Sequence, residues 1–352
     1  MGIVLVEPWL DARWDAYVAS HPRATVYHTG AWVRIVCEIG RYPSLCLVAE
    51  ANGRVTGILP LVAVDSILTG RRISTLPFSD VCFALADDSA TADSLLAAAR
   101  AARAKRRAAY YEMRGLPALR DGSDTPADGF AKSGHFYNFV LPLSGDADAV
   151  RATFSQKAVR YMITKAEKAG VTVRRGDGRD ADAFYTLYVA TRRRHGIPPQ
   201  PRRLFSRIVE QARDALNAAL YLAEYEGRVI AAVITARQSG VTYLKYEVTD
   251  DAHRNLGAVH ALLWNSIRDA VLAGDRSYDF GRTAADNPGL CEFKRRWGTT
   301  QIDLPYYFDP PRDGVSVVKS DSLKYRLFTA AFRRMPAPLA VRVGERIFRH
   351  FG

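Results

Sequence analysis

Cysteine is scarce: four residues in 352, Cys37, Cys46, Cys82 and Cys291. They form no CxxC pair and no spacing with histidine that a zinc site would use, so neither a structural metal nor a disulfide framework is supported. Buried, inert thiols are the expectation. No HExxH, GxSxG or GxxxxGK[ST] stretch occurs, which removes the sequence support for a metalloprotease, a serine hydrolase or a P-loop enzyme. Apolar runs stay well short of the ~20 residues that a membrane-spanning helix needs. The opening Met1-Gly2-Ile3-Val4-Leu5-Val6-Glu7-Pro8 has no basic stretch and reaches an acid early, so no signal peptide is expected and the cytoplasm is the default compartment.

What is present is ordinary globular composition, 48% hydrophobic and 24% charged, over a length that suggests two domains. The net charge is +12, and half of it lies in residues 311–352, where nine Lys or Arg face three acids. The rest of the chain is only mildly basic, which does not require a coat of nucleic acid.

Read in order, both halves give strand, two helices, three extended segments, a helix and a strand. In the first half the helices cover about Trp9–Ser20 and Gly30–Ile39. Strands joined at Asn52-Gly53 follow, then a helix over Thr91–Arg107 and a strand at Tyr110–Met113. Asp121 to Asp128 is expected as a surface loop. The second half starts with a strand at Phe136–Leu143 and one basic helix over Asp146–Ala169. Helices over Ala181–Arg194 and Arg202–Arg213 come next. Strands over Leu220–Tyr225, Val229–Arg237 and Val241–Thr249 follow, then a helix over Leu256–Ala273 and a strand at Ser277–Phe280. The halves also agree in residues. Leu47–Val55 aligns with Tyr221–Val229, Tyr17–Ser20 with Tyr188–Thr191, and Tyr111-Glu112-Met113 with Tyr278-Asp279-Phe280, at offsets of 174, 171 and 167. Three matches in order at nearly one offset argue for duplication. The fold class expected is α/β of the mixed-sheet, α+β kind: two tandem domains, each a mixed, mostly antiparallel sheet flanked by helices.

One stretch concentrates chemistry: Tyr278-Asp279-Phe280-Gly281-Arg282, a polar loop, then Phe293-Lys294-Arg295-Arg296-Trp297-Gly298. With Gly57-Ile58-Leu59-Pro60-Leu61, His28 and Trp32, Lys165–Gly170 and His195-Gly196-Ile197-Pro198, it resembles the double-domain FemAB-like branch of the GNAT acyltransferases. The resemblance covers about residues 1–310, and the tail is similar to FemAB-like proteins associated with exopolysaccharide and PEP-CTERM systems. It implies a GNAT-like domain over 1–135 that shapes the acceptor side without binding donor. It further implies a second GNAT-like domain over 136–310 that binds donor and catalyses, and a basic amphipathic helical tail over 311–352.

In such enzymes an acyl-CoA pyrophosphate rests on the free amides of a helix N-terminus, where the helix dipole favours an anion. The matching place is Arg254, Asn255, Leu256, Gly257 and Ala258, with Val259 bulkier than the pattern prefers. In the first half the equivalent Asp87-Asp88-Ser89-Ala90 is acidic and would repel a phosphate. Transfer to an amine needs a proton acceptor and oxyanion stabilisation. Asp279 and Glu247 are the candidate bases and Tyr246 a candidate proton donor. Arg282, Lys294, Trp297, His28 and Trp32 are candidate substrate contacts. Lys157 and Arg160 share a helical stripe with Tyr161, Thr164 and Lys168 that suits a phosphate or tRNA, or is simply a soluble face.

The tail carries Leu323, Leu327, Phe328, Ala331, Phe332 and Met335 among basic residues, then Leu339, Val343, Ile347 and Phe351. Such a pattern suits either an anionic membrane surface or docking onto the protein body. The leading expectation is an N-acyltransferase acting on an amine of a cell-envelope or exopolysaccharide precursor. It would be cytoplasmic and peripheral on the inner face of the membrane, with acyl-CoA as co-substrate, no tightly bound cofactor and no metal. An aminoacyl-tRNA-dependent transferase of the peptidoglycan-bridge type is the alternative. A non-catalytic glycan-lipid-binding or scaffold protein is the third.

Overall fold

The computed structural model describes residues 2–115, 130–210, 216–310 and 323–350. The Asp121 to Asp128 segment lies outside them. The chain divides into two units: Met1–Phe136 with Leu304–Lys319 and Arg346–Gly352, and Tyr137–Asp303 with Ser320–Glu345. Of the described tail residues, 323–345 fall in the second unit and 346–350 in the first.

The first unit runs β1 (Gly2–Leu5), α1 (Ala12–Ser20), α2 (Gly30–Gly40), β2 (Leu47–Ala51), β3 (Arg54–Leu59), β4 (Val62–Ser66), β5 (Gly70–Ser74), β6 (Leu85–Ala86), α3 (Ser89–Lys105) and β7 (Tyr110–Arg114). The second unit is entered along β8 (Ala131–Pro142). It continues through α4 (Ala147–Ala152), α5 (Tyr161–Lys168), β9 (Thr172–Arg175), α6 (Ala181–His195), α7 (Arg202–Glu210), β10 (Ala218–Tyr225), β11 (Arg228–Gln238), β12 (Val241–Thr249), α8 (Ala258–Leu272), β13 (Ser277–Ala284) and α9 (Pro288–Arg295). β14 (Thr300–Asp309), α10 (Leu323–Arg334) and α11 (Ala337–Ile347) complete the chain. Hairpin turns sit where the sequence placed them. Asn52-Gly53 and Glu226-Gly227 both take left-handed φ, 52° and 74° in one and 50° and 72° in the other. That is the turn whose twist matches two flanking strands.

In the second unit the strands lie in the order β8-β13-β12-β11-β10-β9, with β12 and β13 parallel and β9 to β12 antiparallel. In the first, β1-β2-β3-β6 form one sheet, and β5 pairs in parallel with β7. The registers show the two units to be copies. Ala231 and Ala232 of β11 face Thr249 and Val248, while their counterparts Gly57 and Ile58 of β3 face Ala86 and Leu85. Val241 of β12 faces Ser277, and Arg72 of β5 faces Tyr110. β5 and β6 together thus hold the place that β12 holds in the second unit, with residues 75–84 between them where β12 has only 244–247.

The single helix expected over Asp146–Ala169 is broken. α4 stops at Ala152, a five-residue π-helical turn covers Gln156–Arg160, and α5 begins at Tyr161. The break carries Phe154 into the core, where its ring meets Trp264 at 5.8 Å and Trp297 at 5.1 Å edge-on. The Ser155 amide then donates to the Arg296 carbonyl at 2.8 Å, so the interruption leaves a satisfied backbone. Burying a phenylalanine between two tryptophans outweighs a few helical hydrogen bonds, each of which nets only about 1 kcal/mol. Sequence periodicity could not show this, because Phe154 also fits the helical pattern.

The tail is docked rather than free. In the second unit Thr329 approaches Gly196, Arg193 Nε donates to the Met335 carbonyl at 2.8 Å, and Phe332, Ala340 and Gly344 are buried. Leu327, Phe328 and Leu339 face outward. In the first unit Phe348 stacks on Phe78 at 4.1 Å and His350 Nδ1 meets Ser66 Oγ at 3.1 Å. All four cysteines are free and buried.

The first unit's core closes over His28, which is fully buried. The Thr25 amide donates to its Nδ1 at 3.1 Å, which leaves Nε2–H to donate to the Phe83 carbonyl at 3.0 Å. Thr25 Oγ1 also lies 2.8 Å from Nδ1, but burial penalises the charged ring and lowers the pKa from 6.5 to about 4. Between those values the unfolded chain binds a proton that the folded chain refuses, so stability is full above pH 6.5 and falls as pH drops toward about 4. The shift from 6.5 to about 4 corresponds to roughly 3 kcal/mol. Chemical denaturation at stepped pH should show that loss for the native chain and a much flatter profile for His28→Gln.

Candidate active site

The second unit's site is built on a pair of strands that part. β12 and β13 pair through only three residue pairs, Val241–Ser277, Thr242–Tyr278 and Tyr243–Asp279. Beyond them β12 keeps its partner β11 on the other edge, but Lys245 is an extra residue between Leu244 and Tyr246, a β-bulge that bends the strand. β13 runs on to Ala284. The distal halves of two neighbouring parallel strands therefore diverge, and peptide groups on their facing edges no longer pair with each other.

Two side chains answer that divergence on β13. The buried Asp279 carboxylate accepts from the Gly281 amide at 2.6 Å and from Asn138 Nδ2 of β8 at 2.8 Å. The Lys294 ammonium, on α9, donates to the Gly281 carbonyl at 2.7 Å and the Arg282 carbonyl at 3.3 Å. Lys294 is only 6% exposed and lies 5.6 Å from the centre of the Phe139 ring. Its charge acts on Glu247 of β12. The Glu247 carboxylate is open to solvent, yet enough protein surrounds it that desolvation raises its pKa, with Lys294 pulling the other way. Glu247 of β12 and Lys294, bonded to β13, thus interact electrostatically, and Arg282 of β13 is exposed.

The connection from β12 to α8 supplies the second part. Residues Asp251–Leu256 make a short 3-10 turn, Gly257 takes φ +80°, and α8 begins at Ala258 with no side chain capping its amides. Those free amides and the helix dipole are an anion site in waiting. Arg254 and Asn255 are exposed, Arg254 pairing with Asp251 at 3.3 Å, and Leu256 is half-buried. Gly257 is doubly required. Its φ is left-handed, and a Cβ there would lie 2.4 Å from the Met162 carbonyl of α5. On the first turn His260 stacks against Trp297, and burial lowers its pKa to about 4, so it is neutral.

Several candidate side chains are engaged within the fold. Asp279 is buried and ties β13 to β8 through its bonds to the Gly281 amide and Asn138. Tyr246 points away from Glu247, as alternate strand residues do. Its hydroxyl donates to Gln200 Oε1 at 3.0 Å within a cluster of Phe184, Tyr188 and Phe205. Trp297 is fully buried among Phe154, Phe280 and Phe293, a core residue and not a platform for a sugar. His28 and Trp32 are both buried in the first unit, the Trp32 indole donating to Ser79 Oγ at 2.8 Å. Lys294 is retained with a changed role: its ammonium is anchored to backbone carbonyls rather than offered on a helix surface.

Lys157 and Arg160 do come together. With Asp148, Arg151, Gln156, Tyr161 and Thr164 they line an open groove of about 880 Å³ along α4, the π-helical turn and α5. Tyr161 is 60% exposed there. Arg151 was missed in the sequence, because the helix break that brings α4 beside the turn is not legible in periodicity. Asn138 was missed for the same kind of reason: its partner lies 141 residues away.

The first unit repeats the frame and closes it. Between β5 and β7, the Thr75 amide donates to the Glu112 carbonyl at 2.9 Å, and Cys82 and Arg114 exchange backbone bonds at 2.7 and 3.3 Å. Arg114 Nε pairs with Glu112 at 2.8 Å, both buried. α3, the counterpart of α8, has its first turn capped by Asp88, which accepts from the Thr91 amide at 2.7 Å.

Comparisons with known proteins bear on the fold in which these strands part beside an uncapped helix. Residues 154–295 match the acetyltransferase (GNAT) domain. The fold is similar to the crystal structure of FemX, at 16% identity and a TM-score of 0.68 over 87% of this chain and 97% of that one. It is also similar to L-PGS from Bacillus licheniformis, at 12% identity and a TM-score of 0.59 over 94% and 99%. A tandem GNAT protein from the clavulanic acid biosynthesis pathway follows at 14% identity and a TM-score of 0.51 over 89% and 99%. No curated protein matches the chain in sequence. Residues 154–295 thus carry a GNAT acetyltransferase domain, and the fold of the chain is similar to those of FemX and of a tandem GNAT protein.

Gly257→Ala should lower thermal stability by about 2 kcal/mol or more, since left-handed backbone and a clash with a carbonyl both oppose a methyl group. A melting curve of the purified variant measures it.

Proposed function

We propose that this protein transfers an acyl group from acyl-CoA to an amine of a cell-envelope or exopolysaccharide precursor, with the chemistry confined to the second unit. The observation that carries the reading is the parting of β12 and β13 beyond Tyr243 and Asp279, next to an uncapped α8. Acyl-CoA would supply an activated thioester. The amides of α8 would take its pyrophosphate, and the unpaired edges of β12 and β13 would hydrogen-bond its amide-bearing arm. Glu247 takes the proton from the attacking amine. A raised pKa suits that role, because a base closer to neutrality both stays ionised at pH 7 and accepts a proton readily. Lys294 keeps β13 bent and holds Glu247 ionised. Arg282 and the Arg151, Lys157 and Arg160 groove would hold anionic groups of the acceptor. The first unit binds no donor in this reading, since its gap is filled and its helix is capped by Asp88.

A second reading, aminoacyl-tRNA as donor, draws on the same groove, where three cations adjoin the exposed ring of Tyr161, and on the likeness to FemX. Thermal shift separates the readings: stabilisation by acyl-CoA supports the first, by charged tRNA the second. Stabilisation by neither would point to a non-catalytic module that binds a glycan lipid. For location, we propose the cytoplasmic face of the membrane, with Leu327, Phe328 and Leu339 of the docked tail turned toward it among Arg326, Arg334 and Arg342.

Glu247→Gln should reduce kcat by roughly 10²-fold or more without changing the melting temperature. Activity of the native enzyme should fall, as pH drops, at a value above the ordinary glutamate range. In Lys294→Gln that acid limb should move to still higher pH, because the charge that favours ionised Glu247 is gone. A pH–rate profile with unchanged limb position would remove Glu247 as the base.

A further inference from the structure

The β4–β5 hairpin ends in Ser66-Ile67-Leu68-Thr69-Gly70, with Ser66 paired to Gly70 and Gly70 at φ +82°. The turn geometry needs only that glycine. Ile67 and Leu68 are nonetheless 88% and 60% exposed, a β-branched and a long aliphatic side chain at a tip where polar residues are the rule. The tip is held firm. Ser66 Oγ accepts from the Leu68 and Thr69 amides at 3.1 and 2.9 Å, Thr69 Oγ1 donates to the His350 carbonyl at 2.9 Å, and His350 Nδ1 meets Ser66 Oγ. Around its base stand Arg71, Lys105, Arg107 and Arg349, all exposed. The Ala109 amide donates to the Arg71 carbonyl at 2.9 Å, which sets the end of α3 beside the hairpin. Asp65, the acid at this base, is within 3.6 Å of Arg106.

We propose that this hairpin is an insertion tip for an anionic lipid bilayer: Ile67 and Leu68 enter the acyl boundary while the basic collar rests on the headgroups. Charge and shape together select that occupant. Nucleic acid would match the collar and leave two aliphatic side chains without a use. An apolar groove on a protein would accept the tip and gain nothing from four cations around it. A bilayer with anionic lipid satisfies both. None of these residues belongs to the candidate active site or to the outward face of α10 and α11. The hairpin shares the proposed membrane location, but its residues can be tested apart from the tail and from catalysis.

The experiment is vesicle flotation of the full chain with phosphatidylcholine alone and with phosphatidylcholine plus phosphatidylglycerol. The native protein should float with the anionic vesicles and stay behind with the neutral ones. Ile67→Ser with Leu68→Ser should weaken anionic-vesicle binding about tenfold or more. Arg71→Glu with Arg107→Glu should weaken it similarly, and added salt should mimic that pair but not the first. Both variants change exposed side chains, and an unchanged melting temperature checks their fold. Three outcomes would overturn the proposal: no binding by the native chain, full binding by Ile67→Ser/Leu68→Ser, or loss of self-association in that variant in place of vesicle binding. A Leu327→Ser/Leu339→Ser variant run alongside shows whether the tail binds lipid independently. If it alone abolishes flotation while the hairpin variants bind fully, the tip is not the anchor.

Discussion

Two parallel strands cannot part without leaving peptide groups that need partners, and both halves of this chain are arranged around how that requirement is met. In the second unit the bulge at Lys245 turns β12 aside, and β13 is held by the Asp279 carboxylate on the Gly281 amide and by the Lys294 ammonium on two carbonyls, so the facing edges stay open. In the first unit the segment 75–84 enters the equivalent opening and bonds to Glu112 and Arg114. The copies began with one frame, as their registers show. One kept the opening and the other sealed it.

The open copy is also where charge is placed against the grain of burial. A lysine that is 6% exposed survives because its ammonium donates to two carbonyl oxygens and carries a charge that Glu247 complements. Its cost of desolvation is offset locally, and its field reaches Glu247, the one solvent-accessible acid on the opened strand. The sealed copy uses a buried Glu112–Arg114 pair that is satisfied internally and presents nothing outward. The same contrast holds at the helix ends: α8 keeps its amides free, whereas α3 spends them on Asp88. These contrasts support the proposal that the second half receives an anionic donor.

Much of this was legible in the sequence. The duplication, the hairpins at Asn52-Gly53 and Glu226-Gly227, and strand β12 from Val241 to Thr249 follow from period-two patterning and turn residues. Gly257 was marked as special, and the acidic start of α3 already spoke against an anion there. The site side chains were less well read. Asp279 and Trp297 stand out as a polar and an aromatic residue clustered at a strand end, and His28 and Trp32 through the family resemblance. Each instead satisfies a buried backbone group or fills the core, and burial is a property of the whole packed unit.

By itself the sequence determined the local geometry: which segments alternate, which turns need left-handed residues, and that two similar units stand in tandem. Those features depend on neighbours a few positions away along the chain. Tertiary structure alone decided the rest. It broke one long helix to seat Phe154 between two tryptophans and paired Asn138 with Asp279 across 141 positions. It also left one strand pair open and the other closed. These are outcomes of packing and of satisfying buried hydrogen bonds between distant segments, and no window of sequence contains both partners.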